Sequence, residues 1–335
     1  MLKYSSSRID VMNYCLMRYY LKYVQHEKEL ELPAFKKGSC LHELVEHFWN
    51  RLGDKYNNAE GFGKYGRGKF YQKIIMFESS GKKVDWTFKE QKHTMAESVK
   101  KVCVSLFDIL LNEGPPLYTE IPFEFVAFRR RFIGKIDEIR IKNGELIIRD
   151  YKSGKSWMGY MKLHHDPQMT MYNVGLNSLC YHDENFAKSV NLPSKKEKNK
   201  SFVNDKIIHE FFMLEAQHVK ELAKENKKIK TIPELINRTS RTDDHFYEVI
   251  KMIQGGEKRV IEGNIYPERG RKCDDCSMKL ACEKKVVHAK KNISEDESGQ
   301  GIFSFAAPLF MKPVDKKVKQ ARLFKPSRKY KVINN

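Results

Sequence analysis

An Asn-Gly pair at residues 143–144, set between two apolar runs, constrains the fold of this chain more than any other feature. The surrounding sequence, IKNGELIIRDYKSGK over residues 141–155, has the pattern of two strands joined by a two-residue loop. Asn and Gly are favoured in such a loop because a type I′ turn requires positive φ at both central residues. The sequence therefore predicts a β-hairpin with this pair at its tip.

The hairpin also predicts which side chains face each other across the two strands. With a two-residue loop, Lys142 pairs with Glu145, and the same register places Asp137 opposite Asp150. Directly opposed side chains have Cβ atoms about 4.5–5.5 Å apart. Lys152 lies two residues beyond Asp150 and therefore on the same face. We expect two carboxylates and one ammonium group to meet at the end of this hairpin.

Two opposed carboxylates indicate a divalent cation, because they repel each other unless a cation lies between them. Oxygen ligands suit Mg²⁺ or Mn²⁺, which keep several waters and also bind phosphate. In such a site Lys152 would position or deprotonate a metal-bound water. The alternative is a solvent-exposed hairpin end with an Asp150–Lys152 pair and an unrelated Asp137.

The rest of the chain predicts an α/β protein, with helices before and after a small sheet. Helices are expected over residues 5–24, 38–49, 86–112, 167–176 and 242–262, and strands within 119–152 and 206–214. Asp166-Pro167 is a good N-cap and first turn for the helix that follows. The expected regions are an N-terminal helical region (1–118), a core (119–265), a cysteine-rich segment (266–288) and a basic, poorly ordered tail (289–335).

The formal net charge of +19 indicates a polyanionic partner. A basic balance of this size favours a nucleic acid, with solvated lysine-rich faces and a flexible tail as the alternative. No apolar run approaches the roughly 20 residues that cross a bilayer. The first residues, MLKYSSSRID, lack the apolar segment of a secretory signal. We therefore expect an intracellular protein in the cytoplasm, at the nucleoid or at a viral replication site, with no membrane partner.

Three of the seven cysteines form a pattern typical of metal ligands. The sequence CDDCSMKLAC gives a C-x2-C-x5-C cluster of Cys273, Cys276 and Cys282. Three thiolates are one short of a closed zinc or iron–sulfur site. The candidates for the fourth ligand are Cys15, Cys40, Cys103 and Cys180. In an intracellular protein metal ligation is favoured over a disulfide framework.

Together these motifs resemble the PD-(D/E)xK nuclease superfamily, and within it the RecB/AddB branch that includes the small nucleases of CRISPR adaptation. The resemblance rests on Gly134-Lys-Ile-Asp137, Asp150-Tyr-Lys152-Ser-Gly154 and Gln168-x3-Tyr172. In that branch the two aspartates bind metal and the lysine helps to activate water, so the resemblance implies these roles for Asp137, Asp150 and Lys152. It also implies a restriction-endonuclease-like core, a small mixed sheet flanked by helices.

The resemblance adds a histidine and a tyrosine to the expected metal site. In this branch a His on an upstream helix, in a G-x-x-x-H context, joins the metal ligands. Gly38-Ser-Cys-Leu-His42 fits that context, and His42 lies off the apolar stripe of its helix. Tyr151, between the second aspartate and the lysine, is included among the expected metal ligands.

A further carboxylate and two substrate-side residues complete the expected site. Glu120 or Glu124, on the preceding strand, adds the carboxylate, and we favour Glu120. Gln168 and Tyr172 are four residues apart on one helical face. The resemblance places both beside the substrate strand.

The resemblance also selects the fourth cysteine. In the iron–sulfur members of this branch one N-terminal Cys follows an S-x-S-x-I-x3-Y-like stretch, and Ser5 to Tyr14 followed by Cys15 matches it. The residue after that Cys is Leu16, where the branch usually has Pro. The implied 4Fe–4S ligands, which would join the two terminal segments, are Cys15, Cys273, Cys276 and Cys282. Structural Zn²⁺ in the same four ligands is the alternative. The other three cysteines are interpreted as ordinary buried residues.

The expected function is a metal-dependent DNA nuclease using Mg²⁺ or Mn²⁺, an exonuclease on single-stranded DNA or frayed ends. The alternative is a nucleic-acid-binding subunit of a recombination, replication or CRISPR-type complex with a non-catalytic nuclease fold. A near-Walker sequence over residues 61–70, GFGKYGRGKF, is set aside because Phe70 follows Lys69 where a Ser or Thr would hold Mg²⁺. We expect this stretch to be a loop, either against the DNA backbone or solvated.

Overall fold

The structure is a computed structural model that describes residues 3–154, 159–194, 201–225, 234–268, 273 and 276–285. The fold is mixed α/β, as predicted, with one six-stranded sheet flanked by helices. The expected basic tail, 289–335, lies outside the described residues. Among the residues that are described, no helix is long and apolar enough to cross a membrane.

The helices cover most of the described N-terminal third and the later part of the chain. The α-helices are Ser6–Tyr14 (α1), Leu16–Tyr19 (α2), Pro33–Glu46 (α3), Phe48–Arg51 (α4), Ala59–Ser79 (α5), Gln91–Glu113 (α6), Tyr160–His165 (α7), Pro167–His182 (α8), Glu184–Ser189 (α9), Ala216–Glu225 (α10) and Asp243–Ile261 (α11), and a π-helix, Tyr20–Val24, follows α2. The predicted helix start at Asp166-Pro167 is confirmed, since Asp166 Oδ1 accepts a hydrogen bond from the Gln168 amide at 2.8 Å.

The strands are Lys3–Tyr4 (β1), Tyr118–Ala127 (β2), Arg130–Lys142 (β3), Glu145–Lys152 (β4), Ile208–Met213 (β5) and Ile236–Thr239 (β6). β2, β3 and β4 are antiparallel neighbours, β4 and β5 run parallel, and β6 pairs antiparallel with β5. The short β1 pairs in parallel with the first part of β3.

The chain divides into two compact units. The first comprises residues 1–10 and 29–250, and it contains the whole sheet. The second comprises residues 11–28 and 251–335, so it includes all four of the cysteines proposed as cluster ligands.

The predicted hairpin at Asn143-Gly144 is confirmed. Both residues have positive φ, 54° and 80°, and Lys142 pairs with Glu145 across the two-residue loop. The ladder continues in the predicted register as far as Glu138 and Arg149. The pairing expected from a two-residue loop therefore predicts this part of the sheet correctly.

Helices cover both faces of the sheet. One face, which carries Tyr151 and Phe212, is covered by α3, α5 and α6. Phe48, Phe62 and Phe70 pack with those two side chains in a single hydrophobic core. On the opposite face α8 lies close to β2. The ring of Phe123 in β2 occupies the space that a Cβ at Gly175 in α8 would need. The same ring covers Gly134, so the glycine of the Gly-Lys-Ile-Asp motif leaves room for Phe123.

The expectation of a loop over residues 61–70 is wrong, because these residues lie inside α5. Asn58 caps the helix through a 2.8 Å hydrogen bond from the Gly61 amide to its side chain. Two of the glycines are needed for packing against α6. A Cβ at Gly63 would lie 2.6 Å from Val104 Cγ2, and one at Gly66 would lie 2.6 Å from Cys103 Sγ. The glycines therefore permit close helix packing and do not form a phosphate loop.

Two glycines of α5 give a matched test of this packing. Gly63→Ala should lower the free energy of unfolding by about 1–3 kcal/mol, because the new methyl group is forced into α6. Gly68 has no atom within 4 Å of its Cβ position, so Gly68→Ala should raise it by about 0.5–1 kcal/mol through helix propensity alone. Urea unfolding of the two variants measures the difference, and equal stabilisation by both would contradict the packing.

A largely buried ion network lies on the face of β4 opposite Asp150. We define it as Glu113, Glu138, Arg140, Arg149 and Glu210. Arg149 is at its centre, 2.7 Å from Glu113 Oε2 and 2.9 Å from Glu210 Oε2. The Tyr151 hydroxyl donates to Glu138, which also pairs with Arg140. Because side chains alternate along a strand, the network fixes Arg149 and Tyr151 while Asp150 and Lys152 face the other way.

Candidate active site

The candidate site lies where β3 and β4 separate. Their paired ladder ends at Glu138 and Arg149, one pair before Asp137 and Asp150. Beyond it the Tyr151 amide donates a hydrogen bond to Asp137 Oδ2 at 3.0 Å. In a continued ladder this amide would donate to a backbone carbonyl of β3. Here it donates to the Asp137 side chain, and the hydrogen bond holds Asp137 at the point where the two strands separate, which we call the β3–β4 fork.

The electrostatics of Asp137 are those of a buried carboxylate beside another carboxylate. Burial raises the pKa of Asp137 well above its usual value, and the negative charge of Asp150 raises it further. The Tyr151 amide opposes this shift. The expected close approach of the two aspartates is therefore present as a repulsive interaction.

Asp150 is fully buried and has unsatisfied oxygens. Neither of its oxygens accepts a regular hydrogen bond from the described residues. Its close contact is an ion pair, with Lys152 Nζ 2.7 Å from Oδ2. Burial by itself would lower the pKa of Lys152, but Asp150 and Asp166 more than offset this, so the pKa is raised. The raised pKa favours the ammonium form of Lys152 beside Asp150, which suits charge stabilisation and positioning, and its role in deprotonating water stays a prediction.

His42 and Tyr151 approach the site from α3 and β4. His42 Nδ1 lies 3.5 Å from Asp137 Oδ2, and the imidazole packs edge-on against the Tyr151 ring. Burial lowers the pKa of His42, although Asp150 opposes the shift. A neutral imidazole can donate a lone pair to a metal ion. The Tyr151 hydroxyl points to Glu138 in the ion network, so its part in the site comes from the main chain.

Gln168 and Tyr172 connect Lys152 to Asp137. Lys152 Nζ donates to Gln168 Oε1 at 2.7 Å, and Gln168 Nε2 donates to the Tyr172 hydroxyl at 2.6 Å. The Tyr172 hydroxyl in turn donates to Asp137 Oδ1 at 3.1 Å. This chain of donors orients the carboxylate of Asp137. Tyr172 is buried and Gln168 is half-buried, and the place of both residues beside the substrate strand stays a prediction.

The structure favours Glu120 over Glu124 as the additional carboxylate. Glu120 is opposite Asp137 in the β2–β3 register and has a positive φ of 51° within the strand. Its negative charge contributes to the raised pKa of Asp137, and its side chain pairs with Lys135 at 3.0 Å. Glu124 is paired with Arg131 on the surface. Positive φ at a non-glycine residue is strained, and such strain is concentrated at functional sites.

Sequence reasoning missed one acidic neighbour, Asp10 of α1. Burial raises the pKa of Asp10 to about 6, and the charge of Asp166 adds to the shift. Asp150 also raises it, whereas Lys162 and Lys152 lower it. No motif indicates Asp10, because its proximity to Asp150 and Lys152 depends on the pairing of β1 with the sheet and on the direction in which α1 then leaves it.

The residues present fit a divalent cation. Asp150 has a buried Oδ1 without a donor among the described residues, and its Oδ2 contacts Lys152. Burial and the charge of Asp150 raise the pKa of Asp137, and burial lowers the pKa of His42. A cation between the carboxylates would remove their repulsion and satisfy those oxygens. In the described residues, however, no group of three or more His, Cys, Asp or Glu is arranged as a complete metal site. Lys152 takes the position beside Asp150 in this structure.

The four cysteines proposed as ligands are in one unit but do not form a metal site within the part of the chain described here. None is in a disulfide, and each is partly exposed. The single helix predicted over residues 5–24 is wrong, because Cys15 is extended (φ −163°, ψ 114°) and separates α1 from α2. Arg18 Nη2 donates to Ser277 Oγ at 3.0 Å, which connects the two sequence segments of this unit. The remaining cysteines, Cys40, Cys103 and Cys180, are buried as predicted.

Comparison with known proteins identifies the class. A match to the PD-(D/E)XK nuclease superfamily spans residues 3–283. The chain therefore belongs to the PD-(D/E)XK nuclease superfamily, whose members are nucleases that typically use divalent metals such as Mg²⁺ or Mn²⁺. Among curated proteins, none matches the chain.

Proposed function

We propose that this protein is a metal-dependent deoxyribonuclease of the RecB/AddB type. The observation that carries the proposal is the pair of buried aspartates at the β3–β4 fork, with Lys152 2.7 Å from one of them. Asp137, Asp150 and His42 would hold Mg²⁺ or Mn²⁺, with the main chain of Tyr151 as a further ligand. The bound cation would supply an activated water and stabilise negative charge on the phosphate.

The residues around the cation site have separate tasks in this proposal. Lys152 holds a positive charge beside the scissile phosphate. Gln168 and Tyr172 keep Asp137 oriented through the donor chain described above. Glu120 adds negative charge near Asp137, which strengthens cation binding. The net charge of +19 supports DNA as the substrate, held through its phosphates.

We further propose exonuclease action on single-stranded DNA or frayed ends. The test uses end-labelled linear single strands, linear duplexes, single-stranded RNA and circular single-stranded DNA, each with Mg²⁺ or Mn²⁺. Linear single-stranded DNA should be degraded from an end while the circle survives, and EDTA should abolish cleavage. Cleavage of the circle would contradict exonuclease action, and no cleavage of any substrate would contradict the nuclease proposal.

The second candidate is a nucleic-acid-binding subunit of a recombination, replication or CRISPR-type complex. The ion pair between Lys152 and Asp150 favours it, because a lysine occupying the cation position is compatible with a site that does not bind metal. This candidate predicts DNA binding without cleavage under every metal condition in the same assay.

We also propose that Cys15, Cys273, Cys276 and Cys282 bind a 4Fe–4S cluster, with structural Zn²⁺ as the alternative. The proposal is supported by their presence in one compact unit formed from two distant stretches of the chain. A metal cluster shared by those stretches would contribute its binding free energy to folding. Its role in this proposal is structural.

The cluster gives a coloured protein. We expect anaerobically purified protein to be brown, to absorb near about 400 nm and to contain iron and acid-labile sulfide. Cys15→Ser should lose the absorption and melt at a lower temperature. Cys180→Ala is the control, because this cysteine is buried in the first unit and should leave the spectrum unchanged. A colourless protein with bound zinc would contradict the iron–sulfur assignment.

A further inference from the structure

The β2–β3 hairpin ends in an unusual turn. Ala127 pairs with Arg130, so Phe128 and Arg129 form a two-residue loop. Both have positive φ, 48° and 58°. The hairpin at residues 143–144 forms the same kind of loop with Asn and Gly, which adopt this conformation readily. A Phe and an Arg at these positions are strained, and strained residues are concentrated at functional sites.

Phe128 belongs to an exposed aromatic cluster, which we call the aromatic platform and define as Phe128, Phe202 and Tyr247. The Phe128 ring centroid lies 5.7 Å from that of Phe202 and 5.9 Å from that of Tyr247. All three side chains keep substantial exposure, at 41%, 36% and 42%. The fully buried Phe246 packs beneath Phe128 and Phe202. The platform is thus a solvent-facing aromatic surface supported by the core.

The neighbouring backbone holds Phe202 in place. Asp243 Oδ1 accepts from the Val203 amide at 2.9 Å, and Asp243 Oδ2 accepts from Ser201 Oγ at 2.8 Å. Both hydrogen bonds fix the segment that carries Phe202 to the start of α11. The platform is therefore preorganised, which lowers the entropy cost of stacking a ligand on it.

Three arginines follow the platform along the hairpin tip. Arg129 is exposed, and Arg130 Nη1 donates to the Phe128 carbonyl at 2.9 Å. Arg131 pairs with Glu124 at 2.6 Å. Arg129 therefore gives the tip an exposed positive charge. Exposed aromatic rings next to an arginine are typical of surfaces that bind single-stranded nucleic acid, and the net charge of +19 favours a polyanion as the occupant.

We propose that the aromatic platform binds a single-stranded part of the DNA substrate, with bases stacked on Phe128 and Tyr247 and a phosphate contacted by Arg129. This inference rests on the proposed nuclease function and names a second contact for the same substrate. Arg130 lies seven residues before Asp137 on β3, about 23 Å along the strand. At 3.4 Å per stacked nucleotide, about seven nucleotides separate the platform from the cation site.

We expect the affinity for single-stranded DNA to depend on the length of the strand and on the residues of the Phe128-Arg129 turn. In EDTA, a labelled oligothymidine of about 20 nucleotides should bind the double variant Phe128→Asn/Arg129→Gly at least about tenfold more weakly than wild type. The slope of log affinity against log salt should fall by about 0.7 for each lost phosphate contact. An oligothymidine of about 5 nucleotides, too short to span the two sites, should bind wild type more weakly than the longer strand does, and it should still bind the double variant more weakly than wild type.

The chain provides controls for folding and for aromatic character. The double variant installs the Asn-Gly turn of the neighbouring hairpin, so its circular dichroism spectrum should match that of wild type. Tyr247→Phe keeps a ring and should bind like wild type, while Tyr247→Leu keeps apolar contact and should bind about fivefold more weakly. If the double variant and Tyr247→Leu bind the longer strand like wild type, the platform does not bind DNA, and a protein partner becomes its better occupant.

The binding assay separates this inference from the proposed nuclease function. Because it is performed in EDTA, it gives an answer whether or not the protein cleaves DNA. Weakened binding by the platform variants together with an inactive wild-type protein would overturn the nuclease function alone. Cleavage by wild type together with unchanged binding by the platform variants would overturn the platform inference alone.

Discussion

An Asp150→Asn protein is expected to lose at least about a thousandfold in DNA cleavage with Mg²⁺ or Mn²⁺. The substitution removes one of the two carboxylates proposed to bind the cation, and several kcal/mol of transition-state stabilisation correspond to about this factor. The fold should persist, because Asn fills the same volume and Asp137 is relieved of a like charge. The measurement is the initial rate on end-labelled DNA, together with the melting temperature.

The control for Asp150→Asn is Glu145→Gln in the same strand. Glu145 is an exposed acid paired only loosely with Arg238, at 3.4 Å. We expect its rate to stay within about twofold of wild type, as for a surface change away from the site. Mn²⁺ should raise the melting temperature of wild type and of Glu145→Gln but not of Asp150→Asn, because a ligand stabilises only a fold that binds it. Equal rates for all three proteins would contradict the proposed site.

The second large effect is on stability. Arg149→Met should lower the free energy of unfolding by about 3–5 kcal/mol, because it leaves buried carboxylates without their central cation. Arg149 is 1% exposed and contacts Glu113, Glu138 and Glu210. Burial would lower the pKa of Arg149, but Glu138 and Glu210 more than offset this, and the raised pKa reflects how strongly its charge is held. Urea unfolding measures the loss.

Two further variants test this explanation. Arg67→Met breaks a surface pair of similar length, 2.9 Å to Glu97, and should leave the urea midpoint almost unchanged. The double variant Arg149→Met/Glu210→Met removes one charge of each sign and should recover part of the lost stability. If Arg149→Met were as stable as Arg67→Met, the ion network would not support the sheet behind the site.

The parts of the site that could be predicted from sequence are local in the chain. Asn143-Gly144 determines the turn, the turn determines the register, and the register is observed as far as Glu138 and Arg149, one position before Asp137 and Asp150. Helical spacing and the cap at Asp166 place Gln168 and Tyr172 on one face of α8, and the family resemblance assigns them to the site. These predictions depend on short-range geometry, which a sequence states directly.

The parts that could not be predicted depend on elements distant in sequence. The ion network joins Glu113 of α6 to β3, β4 and β5, and each of its charges taken alone has the pattern of a surface residue. The glycines of α5 have the pattern of a loop until Val104 and Cys103 of α6 are placed against them. The pKa of Lys152 is raised first by Asp150 of the same local motif and further by Asp166, which no local motif connects to it.

The most direct test of the central claim is a crystal structure of the protein soaked with Mn²⁺, using anomalous scattering to locate the ion. We expect manganese between Asp137 and Asp150, with a carboxylate oxygen from each at about 2.1–2.2 Å and Lys152 displaced from Asp150. Manganese bound elsewhere, with the Lys152–Asp150 ion pair intact, would contradict the proposed cation site.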